Sequence, residues 1–316
     1  MIEIPAELAA SQAKYNGEAG RAFVAALPGR AREFLDRWGL RVTGPSMYGV
    51  ASLVLPVVRS ADGTRAALKM QLLDEESAGE AVALRVWDGA GAVRLLAEDA
   101  ETGTMLLERL DEGRHLSVLG ATDARQAVRI LGELLARLSA VPAPEGLRGL
   151  GEIAARMVAD TPDAAARLGA EDAALLRDCA AAVREVMGEP GDRLLHWDLH
   201  YDNILAAERE PWLAIDPKPL VGDPGFDLLP ALTDLWGEDG DGSGGGGGGE
   251  PGSADPAVVT RWRFDLLTER LGLDRDRALA WTLGRVLQNG LWDVEDGEPA
   301  LDPDQVVIAR SLMRAR

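Results

Sequence analysis

Three oxygen-bearing side chains, Asp198, Asn203 and Asp216, lie close enough in this chain for one hairpin to gather them. Asp198 and Asn203 sit in His196-Trp-Asp-Leu-His-Tyr-Asp-Asn203, in a D-x-x-x-x-N spacing, and Asp216 ends the run Trp212-Leu-Ala-Ile-Asp216. Residues 204–207 and 212–215 read as two short apolar strands, with the polar turn Glu208-Arg-Glu-Pro211 between them. Pairing in register across that turn sets 207 opposite 212 and Asn203 opposite Asp216. Opposed residues in an antiparallel ladder have Cβ atoms roughly 4.5–5.5 Å apart. Asn203 and Asp216 would then aim hard oxygen ligands at one point, which suits Mg²⁺ carrying a nucleotide's phosphates. Asp198, just upstream, is left to orient an acceptor hydroxyl. The chemistry these parts serve is phosphoryl transfer.

Such a site also needs a cation for the phosphates. The chain has 30 arginines and only three lysines, Lys14, Lys69 and Lys218, so the lysines that remain are candidates for work arginine cannot do. Lys69 ends the apolar strand Ala66-Ala-Leu-Lys-Met70, and Glu76 and Glu80 follow on a predicted helix over 74–87. Glu80, beside Val82 and Leu84, is the partner expected for Lys69. Residues Gly44–Ser52 precede the strand hairpin and are the candidate phosphate-covering loop, with Ser46 and nearby N–H groups as donors. Lys218, two residues past Asp216, is placed to touch phosphate or to neutralise the acidic cluster.

The elements that must hold these residues divide the chain in two. Residues 1–38 read as helical; strands follow over 40–70 around the hairpin signal Ala61-Asp-Gly63, then the helix at 74–87 and strands near 92–96 and 103–108. Leu106-Leu-Glu-Arg-Leu110 runs out of a strand into a connector, which closes a β-rich lobe at 1–109. The remainder, 110–316, is mainly helical, with helices expected at 123–141, 150–160, 170–187, 226–236, 257–271, 275–293 and 303–314. Residues 237–255, including Gly244–Gly249, are expected to form a disordered surface insertion, because they offer nothing apolar to bury.

Composition narrows the function classes. A formal charge of −19 argues against a nucleic-acid binder, which needs a basic face, and reads either as general solubility or an acidic proteome or as a field that attracts a cationic substrate. No apolar run approaches the roughly 20 residues of a membrane helix. The first residues lack the basic and apolar regions of a secretion signal, and one cysteine, Cys179, excludes an intrachain disulfide. These features set the expectation of a cytoplasmic protein. His196-x-Asp198-x-His200 raises zinc as a rival, but His115 is the only other histidine, so a His-rich metal centre lacks ligands. His196 and His200 are expected instead to brace the loop by hydrogen bonds. Asp227 reads as a turn or N-cap carboxylate, and Asp223 either as the same or as a functional carboxylate. Trp292 with Asp293, Glu295 and Asp296 would suit a polar cationic ligand, or form only a solvated helix end.

The sequence resembles the aminoglycoside phosphotransferases, in particular the group of streptomycin 6-phosphotransferases and hydroxyurea phosphotransferases. The resemblance is carried by Leu68-Lys-Met70, Gly79–Asp88, Leu106–Leu110, His196–Leu205, Ile215-Asp-Pro-Lys-Pro219 with Gly222-Asp-Pro224, and Leu291–Gly297. Trp197 stands where the family often has glycine, and Tyr201 where it has a small residue or proline. The resemblance implies an α+β, bilobal protein-kinase-like fold with a small β-rich N-terminal lobe and a larger helical C-terminal lobe. It implies ATP and Mg²⁺ as cofactors, Asp198 as catalytic base, and Asn203 and Asp216 as metal ligands. Lys69 would hold the α/β-phosphates, Glu80 would orient Lys69, and the backbone around Glu108–Leu110 would receive adenine. The acceptor expected is a hydroxyl of a streptomycin-like aminocyclitol. Hydroxyurea or another small metabolite on the same fold, and a catalytically silent nucleotide-binding protein, are the other readings.

Overall fold

The computed structural model describes residues 2–49, 51–233 and 255–314. The expected glycine-rich insertion at 237–255 therefore lies, but for Asp255, outside the described residues. The chain divides into two compact units, Met1–Asp111 and Glu112–Arg316. No helix among the described residues is long and apolar enough to cross a membrane.

The first unit opens with α1 (Ala6–Tyr15) and α2 (Gly17–Arg37). An antiparallel sheet follows from β1 (Leu40–Val42), β2 (Met47–Tyr48), β3 (Ser52–Arg59), β4 (Arg65–Gln71), β5 (Leu95–Asp99) and β6 (Thr104–Glu108), with α3 (Glu80–Trp87) inserted before β5. Strand order is β1-β3-β4-β6-β5, and β2 pairs with β3. Phe23, Leu27, Ala31 and Phe34 recur at helical spacing on α2 and form one core with Leu53, Leu55 and Val57 of β3 and Ala66, Leu68 and Met70 of β4. The β3–β4 hairpin turns where Ala61-Asp-Gly63 predicts it, and Gly63 supplies a positive φ of 76°.

Two expectations shift. The helix over 74–87 begins only at Glu80, because the Asp74 carboxylate accepts the N–H groups of Glu76 and Ser77 and holds that stretch in a turn. The strand near 92–96 is displaced to Leu95–Asp99, since Arg94 exchanges backbone and side-chain bonds with Glu108 at the sheet end.

The second unit begins with β7 (Asp111–His115, its first residue shared with the boundary), α4 (Leu116–Gly120) and α5 (Ala124–Leu138). The Asp123 side chain caps α5 by accepting from Gln126 N–H. Then come β8 (Arg148–Gly149), α6 (Leu150–Ala165), α7 (Ala170–Val186), β9 (Arg193–Leu195), β10 (Ile204–Ala206), β11 (Trp212–Ala214) and β12 (Leu220–Gly222). The helices α8 (Leu229–Thr233), α9 (Pro256–Leu271), α10 (Arg275–Glu295) and α11 (Pro303–Met313) follow. Of two small sheets, β11-β10-β7 takes two of its strands from residues 196–219, and β8-β12-β9 holds the strands that flank that segment, β9 and β12. The predicted helix at 226–236 is instead a 3-10 turn, Pro224–Asp227, followed by α8; its last residues fall outside those described. That turn lies directly on α10: a Cβ on Gly225 would come within 2.8 Å of Ala278 Cα.

Candidate active site

β9 delivers the chain to His196, and the segment that follows is held by its backbone. Asp227 is buried, and its carboxylate accepts the N–H groups of His196 at 2.8 Å and Trp197 at 2.6 Å. Those two bonds fix a sharp reversal in which Trp197, a bulky residue, takes φ of +65°. Burial pushes the Asp227 carboxyl up to about 7, against the pull of the two N–H groups and the Arg285 charge. Asp227 is thus no helix cap. Asp223 is the capping residue, accepting from Gly225 N–H while its other oxygen pairs with Arg277 at 2.6 Å.

His196 is also buried. Its Nε2 lies 3.1 Å from the Ile215 carbonyl, which can only accept, so Nε2 carries the proton and Nδ1 is left to accept from Asp198 N–H at 3.4 Å. Burial pushes the imidazole pKa down to about 4, with the Asp198 and Asp216 charges opposing it. A neutral ring with both nitrogens committed to backbone cannot ligate zinc. His200 differs from its expected bracing role: it is half-buried, and its ring makes no hydrogen bond among the described residues. The bracing comes from elsewhere. His115 Nδ1 meets the Asp202 carbonyl at 2.9 Å, and Ser117 donates to the Asp202 carboxylate at 2.5 Å.

Asn203 is buried at the end of a 3-10 turn, Tyr201–Asn203. Its Nδ2 donates to the Asp198 carbonyl at 2.8 Å, which leaves Oδ1 as the oxygen able to ligate. The hairpin register differs by one residue from that expected. Ile204 faces Ala214 and Ala206 faces Trp212, so the loop runs 207–211 and Asn203 is bonded by Ile215 N–H at 2.9 Å, not opposed to Asp216. Ala207 has left the ladder, and Pro211 has no N–H to add to it. A one-residue slip ordinarily reverses every side chain, but the alternation stops at Ile215, because Asp216 takes φ of +58°. Lys218 N–H then donates to the His196 carbonyl at 3.0 Å, and its Nζ lies 3.1 Å from Asp198 Oδ2. The Asp198 and Asp216 charges thus act on the His196 ring, while Asn203 is tied to the Asp198 carbonyl and Lys218 to the Asp198 carboxylate. The oxygen set of Asn203 and Asp216 fits Mg²⁺, which takes one or two protein oxygens and completes its shell with phosphate and water. Among the described residues no cluster of three His, Cys, Asp or Glu forms a metal cage.

The first unit holds its own charged pair. Lys69 Nζ meets both oxygens of Glu80 at 2.7 Å, and Gln71 Nε2 donates to one of them at 2.9 Å; Lys69 and Glu80 are both buried. Ser46 donates its hydroxyl to the Glu3 carbonyl at 2.5 Å. The Glu108 carboxylate accepts from Arg94 N–H, and Leu110 is buried.

In the second unit Trp292, 38% exposed, lies 6.1 Å from the Trp197 ring. Arg285, on the same helix, places its guanidinium over Trp197, Trp292 and Phe226 at 4.6, 5.3 and 5.8 Å, and Arg148 stands over Trp197 at 4.9 Å. The chain thus supplies a cation of its own to this aromatic group. Asp293 accepts from Asp302 N–H, tying the end of α10 to the start of α11, and burial raises its carboxyl pKa with help from the neighbouring acidic charges. Glu295 and Asp296 are exposed.

Residues 37–297 match the family described as aminoglycoside/hydroxyurea antibiotic resistance kinase. The chain belongs to this family. A hydroxyurea phosphotransferase of Kitasatospora aureofaciens is 63% identical over 99% of this chain and 86% of its own length. A streptomycin 6-kinase of Streptomyces glaucescens is 56% identical over 99% of this chain and 97% of its own. Among solved structures, a thermostable variant of an aminoglycoside phosphotransferase, in complex with AMP-PNP and hygromycin B, superposes with a TM-score of 0.55. At 15% identity, covering 90% of this chain and 95% of that one, it shows the shared protein-kinase-like fold.

Proposed function

We propose that this family member transfers the γ-phosphoryl group of ATP to a hydroxyl of a streptomycin-like aminocyclitol, which inactivates the drug. The observation that carries this reading is the grouping of Asp198, Asn203, Asp216 and Lys218 on one braced loop, in a chain 56% identical to a streptomycin 6-kinase. Asp198 would orient the acceptor hydroxyl and take its proton as the oxygen bonds to phosphorus. The bond from the γ-phosphorus to the β–γ bridging oxygen breaks, and ADP leaves. Asn203 Oδ1 and Asp216 would hold Mg²⁺, which when bound neutralises phosphate charge. Lys69, steadied by Glu80 and Gln71, would take the α/β-phosphates. Ser46 and the Glu108–Leu110 backbone remain the proposed contacts for the covering loop and for adenine. The exposed carboxylates Glu295 and Asp296 and the net charge of −19 favour a cationic acceptor.

A second reading, phosphorylation of hydroxyurea, is favoured by the 63% identity to a hydroxyurea phosphotransferase. Labelled γ-phosphate transfer from ATP to streptomycin and to hydroxyurea separates the two. Transfer to neither, with ATP binding intact, would refute both and leave a silent nucleotide-binding protein. Asp198→Asn is expected to keep the fold and lose at least about a hundredfold in turnover.

A further inference from the structure

Asp198 is held at three points. Its N–H donates to His196 Nδ1, its carbonyl accepts from Asn203 Nδ2, and its Oδ2 meets Lys218 Nζ at 3.1 Å. Among the described residues, Lys218 is the partner of its carboxylate. Lys218 itself sits between Pro217 and Pro219, whose rings fix φ on both sides, and its N–H is bonded to the His196 carbonyl. The backbone from which this ammonium reaches is therefore rigid, and it is registered on the same residue that anchors Asp198.

The residue type matters. A guanidinium presents a rigid planar fork that engages both oxygens of a carboxylate at once, whereas the Lys218 ammonium, a compact charge, meets Asp198 at Oδ2. In a chain with 30 arginines and three lysines, a lysine stands here. We propose that Lys218 is a positioning residue that holds Asp198 by one oxygen and thereby leaves Oδ1 facing the acceptor hydroxyl. This rests on the reading of Asp198 as the acceptor's base. Phosphoryl transfer through a loose transition state depends chiefly on orientation, so a carboxylate free to rotate would slow it. As the hydroxyl oxygen bonds to the γ-phosphorus and ADP departs, the proton passes to Oδ1 while Oδ2 stays on Lys218.

The test uses the full-length protein with MgATP and whichever acceptor the wild type phosphorylates. Lys218→Met is expected to lower kcat by roughly ten- to a hundredfold. Its calorimetric affinity for MgATP and its melting temperature should stay at wild-type values, since a part-exposed ion pair adds little stability. Lys218→Arg should not recover the loss. Lys218→Cys treated with 2-bromoethylamine, which rebuilds an ammonium on a stem of similar length, should recover most of it. Cys179 does not compete, because it is fully buried and its thiol is pushed up to about 12. Unchanged kcat in Lys218→Met would overturn the proposal, as would full activity in Lys218→Arg. A loss confined to MgATP affinity would overturn it in favour of a phosphate contact. If the wild type transfers phosphate to no acceptor, the functional reading falls and this one with it; an active wild type beside an active Lys218→Met removes this one alone.

Discussion

Trp197 takes a left-handed φ of +65°, a conformation that glycine adopts without strain. Replacing it tests whether the packed indole or the strained backbone dominates. The ring is 1% exposed, and two guanidinium groups lie within 5 Å of its centroid. Truncating a buried Trp costs about 3–5 kcal/mol, and the indole N–H, which has no partner among the described residues, holds the figure near the lower end. Relief of the left-handed conformation returns roughly 1–2 kcal/mol, and glycine's greater freedom in the unfolded chain removes up to about 1 kcal/mol. Trp197→Gly should therefore be destabilised by about 2–3 kcal/mol. For a unit of this size that lowers Tm by roughly 4–12 °C. Trp197→Ala, which loses the ring but keeps the strain, should fall about 1 kcal/mol lower still. Urea denaturation followed by circular dichroism gives both values. A Trp197→Gly variant as stable as the wild type, or an alanine variant more stable than the glycine one, would refute the balance drawn here.

Other perturbations follow from the same geometry. Lys69→Met removes the ammonium that meets the buried Glu80 carboxylate and should destabilise the protein by about 3–5 kcal/mol, so a dead variant must be melted before its inactivity is assigned to lost phosphate contacts; an unchanged Tm would contradict the burial. Asp216→Ala should abolish Mg²⁺-dependent ATP binding, and unaltered calorimetric affinity for MgATP would count against its role as a ligand. Asp227 and His196 titrate in opposition. The folded state takes up a proton at Asp227 near 7 where the unfolded chain waits until about 3.8, whereas at His196 the unfolded chain protonates near 6.5 and the folded state only near 4. Between these limits the two contributions offset. Asp227→Asn leaves only the histidine, whose depressed pKa gives stability present above about 6.5 and lost on acidification. That variant should lose about 2 kcal/mol more than the wild type between pH 6.5 and pH 5; parallel pH–stability curves would show the idea to be wrong.

The sequence carries the parts of the fold that depend on local pattern. The apolar spacing of α2, the turn at Gly63 and the amphipathic α5 are all visible in it, because burial of one face is written into every third or fourth residue. What it hides is partnership at a distance. Asp227 looks like a helix cap, since its neighbours Asp223, Pro224 and Gly225 form one; its actual partners are two backbone N–H groups some thirty residues upstream, which no side-chain pattern records. Arg285 reads as one more helical arginine until the fold sets three aromatic rings beneath it. The hairpin register missed by one residue because Ala207 left the ladder. The early start assigned to α3 failed because Asp74 captures N–H groups that a helix would otherwise use. Lys218 could be singled out by scarcity alone, but not its partner.

Helix α10 carries Arg285 against Trp197 and, two turns further on, Trp292 and the carboxylates at its end. A helix moves as one body, so a change at its tip is transmitted through Arg285 and Trp292 to Trp197 on the loop that bears Asp198. If the tip meets the acceptor and Asp198 its hydroxyl, as proposed, then choice of acceptor and turnover are mechanically linked. On that reading, substitutions at 292–296 that alter the acceptor would also alter turnover, and changes at 148, 226 or 285, which meet the same group of rings, would offset them.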